Sequence, residues 1–149
     1  MPLDPQDHVR DGYLLLTTAA RLVQRRFDDA LAPLGLTRAA VIALKAMSHR
    51  PMNQEQLAAV VHVQSQTLGR VLTRLESEGL VTRTRDPQDR RQFHVEMTDA
   101  GEAALSAARE AENAALPSDF DGWEILREQL SRFVNSFPGP RQTRDSTRN

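Results

Sequence analysis

Residues 64–80 read QSQTLGRVLTRLESEGL. Leu68, Val71, Leu72 and Leu75 recur at i, i+3, i+4 and i+7, which predicts a helix with one apolar stripe. Turning each position through about 100° puts Gln66, Arg70, Thr73, Arg74 and Ser77 opposite that stripe, with Thr67 just beside them. A plainly solvated face is the ordinary reading of such a pattern, but solvated faces usually carry glutamate and lysine. This one carries two arginines, a glutamine and two threonines, the side chains that reach base edges and phosphates. The neighbouring sequence decides between the two readings.

Upstream, Asn53 followed three residues later by Gln56 forms an Asn-x-x-Gln version of the capping box, so residues 54–61 are expected as a short helix. His62 and Val63 then make a tight turn, and the quoted helix starts at Gln64 or Ser65 and stops at Gly79, the expected C′ glycine. Two helices joined by so brief a turn are a helix-turn-helix, whose second helix enters a DNA major groove. Downstream, residues 81–85 are β-permissive, and residues 92–97 alternate, with Phe93, Val95 and Met97 on one face and Gln92, His94 and Glu96 on the other. Between them DPQDRR, residues 86–91, is a proline-containing turn with Arg90 and Arg91 near its tip. A helix-turn-helix followed by a basic-tipped hairpin is a winged helix.

The flanks are helical. Residues 9–33 place Tyr13, Leu16, Ala20, Val23, Phe27, Ala30 and Leu31 near one side. Thr37 stands as N-cap before the run from Ala39 to Met47, and Thr98 as N-cap before a helix reaching about Leu116, where Pro117 breaks it. A last helix, from Ser118 or Asp119, carries Phe120, Trp123, Leu126, Leu130, Phe133, Val134 and Phe137. Residues 9–33 and 99–137 are therefore read as dimerisation helices, the alternative for the last helix being a satellite of the monomer core. Residues 138–149 form a polar, Pro/Gly-containing tail expected to be disordered. The expected fold is mainly α with a small β-hairpin wing: one domain of 149 residues, its winged helix-turn-helix over 36–98.

Composition limits the function classes. Apolar residues at 40% and charged ones at 26% suit a globular protein, and a net charge of −1 excludes a generally basic nucleic-acid coat while leaving room for a local positive edge. There is no cysteine, which removes disulfides, thiol nucleophiles and cysteine-based metal sites. The first twelve residues have no apolar core for a signal peptide and no run of about 18 apolar residues occurs, so the expectation is cytoplasmic with no membrane partner. His8, His49, His62 and His94 are scattered and show no metal-binding or catalytic spacing. No metal, cofactor or enzymatic activity is expected.

Taken together, GLT at 35–37, QLA at 56–58, RLESEGLV at 74–81 and DPQDRRQFHVEMTDAG at 86–101 resemble the MarR (multiple antibiotic resistance regulator) family of bacterial transcription factors, over roughly Leu14 to Leu105. The resemblance implies a homodimer that binds double-stranded DNA, a repressor released from an inverted-repeat operator by a small aromatic or anionic effector. It places Ser65, Gln66, Thr67, Arg70, Thr73 and Arg74 in the major groove, and Arg91 in the minor groove with Asp89 holding its guanidinium. Arg90 is the competing wing residue, since adjacent hairpin arginines point to opposite faces. The effector cleft of relatives falls near Tyr13, Ala40, Val41 and Met47, where small side chains suit either a cleft or close helix packing. Gly69 is open in the same way, between close approach to DNA and helix–helix packing. The competing class is a winged helix used as a protein–protein module, without an operator.

Overall fold

A computed structural model of the chain describes residues 4–61 and 65–139. The chain divides into two compact units, one ending at Leu116 and the other starting at Pro117.

The first helix, α1 (Pro5–Leu31), begins four residues before the periodicity suggests. Asp4 caps it by accepting the Gln6 N–H at 3.1 Å, and Pro5 supplies a fixed φ at N1, so polar residues without a stripe still enter the helix. His8 is therefore helical, one residue ahead of the expected helix start at residue 9. After α1 a 3-10 turn over Ala32–Leu34 ends at Gly35, whose φ of +68° suits glycine. Thr37 Oγ1 then accepts the Ala40 N–H at 3.2 Å and starts α2 (Arg38–Met47).

Two residues, Met52 and Asn53, form a short strand, β1, and α3 (Gln54–Val61) follows directly. The capping box is complete: Gln56 N–H donates to Asn53 Oδ1 at 2.7 Å, and Asn53 N–H donates to Gln56 Oε1 at 3.3 Å. The turn expected at His62 and Val63, with Gln64, lies outside the described residues. Helix α4 (Ser65–Ser77) buries Leu68, Leu72 and Leu75 against Leu44 and Leu57 in one core, each leucine contributing about 1.5–3 kcal/mol. It stops at Gly79, φ +76°.

The wing is β2 (Val81–Arg85) and β3 (Phe93–Met97), antiparallel, with Val81 opposite Met97 and Arg85 opposite Phe93. It is a three-stranded sheet in the order β1-β3-β2, because Met52 and Asn53 pair with Val95 and His94. The expected two-stranded hairpin thus gains a strand too short to show any periodicity. Thr98 joins the wing to α5 (Asp99–Ala115): its N–H donates to Leu80 O at 3.0 Å, its hydroxyl donates to Gly79 O at 2.6 Å, and the same hydroxyl accepts the Gly101 N–H at 3.1 Å. Leu105 and Ala108 of α5 are buried with the core of α2.

In the second unit α6 spans Trp123–Asn135. It starts later than the expected Ser118 or Asp119, with Gly122 as N-cap, and the Phe120 and Trp123 rings meet edge to face at 5.0 Å. Ile125, Phe133, Val134 and Phe137 are exposed. Residues 138 and 139 carry no regular structure, and the rest of the expected tail lies outside the described residues.

Candidate nucleic-acid interface

The polar face expected of α4 is a surface in the structure. Gln66, Gly69, Arg70, Thr73, Arg74 and Ser77 line one shallow open depression, and all of them except the half-buried Gly69 are exposed. Thr67 is also exposed at its edge. The side chain of Ser65, at the helix start, lies outside the described residues.

These side chains are not equally available. Arg74 Nε donates to Glu78 Oε1 at 3.1 Å, one turn on, which partly offsets its charge. Thr73 Oγ1 donates to Gly69 O at 2.8 Å and so has its proton committed inside the helix. Arg70 has no ion-pair or hydrogen-bond partner among the described residues. Gln66, Thr67 and Arg70 thus have no internal partner among the described residues, while Arg74 keeps the N–H groups of its two terminal nitrogens free.

At the wing, the tip is shaped by its own side chains. Asp86 Oδ1 accepts the Gln88 N–H at 2.8 Å, and its other oxygen lies 3.0 Å from His94 Nε2. Those two contacts, the backbone one first, hold the Asp86 carboxyl below its ordinary value. Asp89 Oδ1 accepts the backbone N–H of Arg91 at 3.1 Å. The guanidinium contact carried over by resemblance is not present; Asp89 orients Arg91 through the main chain, since an Asx turn two residues long closes more readily than a side-chain pair. Arg85 Nη1 donates to the Arg90 carbonyl at 2.7 Å and lies over the Phe93 ring at 5.0 Å. Both tip guanidiniums, on Arg90 and Arg91, are exposed and lack ion-pair partners among the described residues. Arg91 also borders a cleft with Gln54, Glu55, Arg83, Gln92 and Phe93.

Of the six arginines on the recognition helix and wing, Arg74, Arg83 and Arg85 are engaged within the protein, and Arg70, Arg90 and Arg91 point outward unpaired. Arg83 was missed as an internal residue by the sequence reading. Period two from the buried Val81 would have placed it on the inner face of β2.

The residues read as an effector cleft are not gathered in one place. Tyr13 is exposed on α1, whereas Val41 and Met47 are closed into the core, where the small side chains of α2 serve tight packing. Ala40 alone borders a cleft, with Leu36, Val71, Leu75, Arg70 and Arg74.

A family model described as the MarR family matches residues 45–93. The crystal structure of MarR superposes with a TM-score of 0.71 at 31% identity, over 81% of this chain and 93% of that one. The chain belongs to the MarR family. Its MarR relatives include reduced AbfR solved bound to DNA, with 27% identity and a TM-score of 0.68 over 89% of this chain and 97% of that one. An uncharacterised HTH-type transcriptional regulator of Bacillus cereus is 34% identical over 93 residues, 62% of this chain. The match spans only 60% of that protein's length. The MarR relatives are transcriptional regulators and not enzymes. Among the described residues no single helix is long and apolar enough to cross a membrane.

Proposed function

We propose that this MarR-family chain is a homodimeric repressor that binds an inverted-repeat operator, with α4 in the major groove and a wing arginine in the minor groove. The observation that carries the reading is the unpaired Arg70 beside Gln66 and Thr67 on an exposed face of a helix whose leucines are buried on the other side. Arginine is the commonest reader of guanine edges, and glutamine reads adenine. A narrow minor groove concentrates negative potential that Arg91 or Arg90 exploits at the wing. AbfR, a relative at 27% identity, supports DNA as the partner because it was solved on DNA.

Dimerisation is supported by apolar side chains left exposed on both terminal elements: Leu14, Leu15 and Leu22 on α1, and Ile125, Phe133 and Val134 on α6. Patches of this kind on a small protein mark an interface. Release by a small aromatic or anionic effector fits the cleft of Leu36, Ala40, Val71 and Leu75, which Arg70 and Arg74 also line. An anion drawn to those arginines competes directly with DNA for them.

The test is a gel-shift titration against the intergenic DNA upstream of the protein's own gene, with a scrambled duplex beside it. The expected outcome is a preference of about a thousandfold or more for the operator. Equal binding to both duplexes, or none to either, would overturn the reading in favour of a winged helix that contacts a protein.

A further inference from the structure

We propose that Arg83 is a positioning residue for DNA recognition, a brace that fixes the angle between the α4 face and the wing rather than a contact to DNA. The inference rests on the DNA-binding reading above and concerns the geometry that such binding requires.

Arg83 is one of the two arginines of β2. In the structure its side chain is only 18% exposed, and its Nε is shut off from solvent. Nη2 donates to Thr73 Oγ1 at 3.1 Å and to Glu76 Oε1 at 3.4 Å, both on α4. The Arg83 backbone N–H donates to the other carboxylate oxygen of Glu76 at 3.2 Å. One glutamate of α4 therefore holds both the main chain and the side chain of one residue of β2. On the opposite side the guanidinium lies 5.7 Å from the centroid of the Phe93 ring on β3, within cation–π range. Arg83 touches the recognition helix and both strands of the wing at once. Its charge is met by Glu76, so little remains to attract a phosphate.

The position makes the brace consequential. The wing tip extends about five residues, or roughly 17 Å, beyond the root of β2. A tilt of about 10° there moves the tip by roughly 3 Å, which is as long as a hydrogen bond. An arginine at the tip and one on α4 reach two grooves together only if that angle is held. Both side-chain bonds leave from Nη2, and the rigid guanidinium plane fixes where its two N–H groups point, which the freely rotating ammonium of lysine does not.

Three variants separate a brace from a DNA contact: Arg83→Gln, Arg83→Lys and Glu76→Gln. Because the chain has no cysteine, Gln66→Cys and Gln88→Cys introduce one spin-label pair per protomer between α4 and the wing tip, and mixing with an excess of unlabelled chain isolates the distance within one protomer. In the free protein, Arg83→Gln and Glu76→Gln should both broaden or shift the distance between the labels. In unlabelled protein, operator Kd should rise about tenfold in all three variants, with the salt slope unchanged by Glu76→Gln. A direct phosphate contact gives the opposite sign: Glu76→Gln would release the arginine, remove a negative charge and tighten binding, and Arg83→Lys would retain most of the affinity. Tighter binding by Glu76→Gln, or label distances unchanged in Arg83→Gln and Glu76→Gln, overturns the proposal. Glu76→Gln, at a half-exposed site, keeps the test decisive if the Arg83 variants fold poorly. A wild-type protein that bound no operator would remove the DNA-binding reading, while the distances, taken without DNA, would decide the brace on their own.

Discussion

The Lys45 ammonium lies 3.0 Å from Glu112 Oε2 and joins α2 of the winged helix to α5. The two ends of the pair are unequal, because the glutamate side chain is 10% exposed and the lysine 42%. Removing the lysine leaves a buried carboxylate without its partner, whereas removing the glutamate leaves an ammonium that water can reach. Lys45→Met should therefore lower stability by about 1–2 kcal/mol, a value discounted for the exposed lysine, and Glu112→Gln by less than about 1 kcal/mol. Denaturant melts of both variants check the order; small and equal losses would show that the pair is screened by solvent throughout, and the reverse order would overturn the assignment of the glutamate as the costly end.

Two glycines should respond in opposite senses to alanine. At Gly101 a Cβ would run into the Leu80 carbonyl oxygen and Met97 Cγ, so the joint between the wing and α5 must move. Gly101→Ala should cost about 1–3 kcal/mol. At Gly69 the nearest atom to a Cβ is Gln54 Nε2 at 3.6 Å, an ordinary contact. Gly69→Ala should stabilise the fold by about 0.5–1 kcal/mol through helix propensity. Its effect on operator affinity decides what the glycine is for: a weaker complex assigns it to close approach of the backbone to DNA, and an unchanged one does not.

The wing tip should resist acid. Asp86 is held below the ordinary carboxylate value of 3.8 by the Gln88 N–H first and by His94 second. A carboxyl whose folded value is depressed contributes stability that is present above its unfolded value and lost as pH falls through the folded one. The Gln88 amide signal in NMR should accordingly change with a midpoint below the ordinary carboxylate value. Asp86→Asn should loosen the tip at neutral pH while leaving the core melt unchanged. A transition of the Gln88 amide well above the carboxylate range would assign the tip order to another group.

Much of the fold was legible because its signals are local. Thr37, Asn53 with Gln56, and Thr98 each bond within three residues, so spacing alone reveals them. The Leu68, Leu72 and Leu75 stripe is likewise a property of one helix. What sequence spacing does not carry is pairing across elements. Arg83 meets Thr73 ten residues earlier, and β1 pairs with β3 some forty residues later, so neither is visible as a period. Asp89 illustrates a finer limit: its role at the wing was assigned to the Arg91 guanidinium, but the shorter reach to the Arg91 N–H prevails. The start of α6 moved to Trp123 because Ser118 and Asp119 have the composition of caps but themselves form a turn.

Dimerisation should depend on the second unit. Trp123, Ile125, Phe133, Val134 and Phe137 expose apolar surface along one short segment, which an isolated monomer would leave in water. Deleting residues 117–149 should abolish the dimer in sedimentation, whereas deleting 139–149 should change little. A chain ending at Leu116 that stayed dimeric would move the interface to α1 and α5 alone.

The recognition helix and the wing tip should differ in what they sense. Arg70 is exposed and unpaired on the groove face, so Arg70→Ala should cost about 1–3 kcal/mol and relax preference at one position of each half-site. Half-sites should lie about one helical turn, roughly 10 bp, apart, since two-fold protein symmetry is mirrored in the DNA. Arg91→Ala should act otherwise, because a minor-groove arginine responds to groove width and potential more than to base identity. It should weaken operator and scrambled DNA together and reduce the salt slope by about one unit per lost contact, or about two per dimer. Arg90→Ala is the control at the neighbouring turn position: its carbonyl, which binds Arg85, is untouched by the change. Fluorescence anisotropy over a salt series on both duplexes measures all three. If Arg90→Ala is the more damaging of the wing pair, Arg90 is the residue that enters the minor groove; if none of the three matters, the polar face of α4 is only solvated.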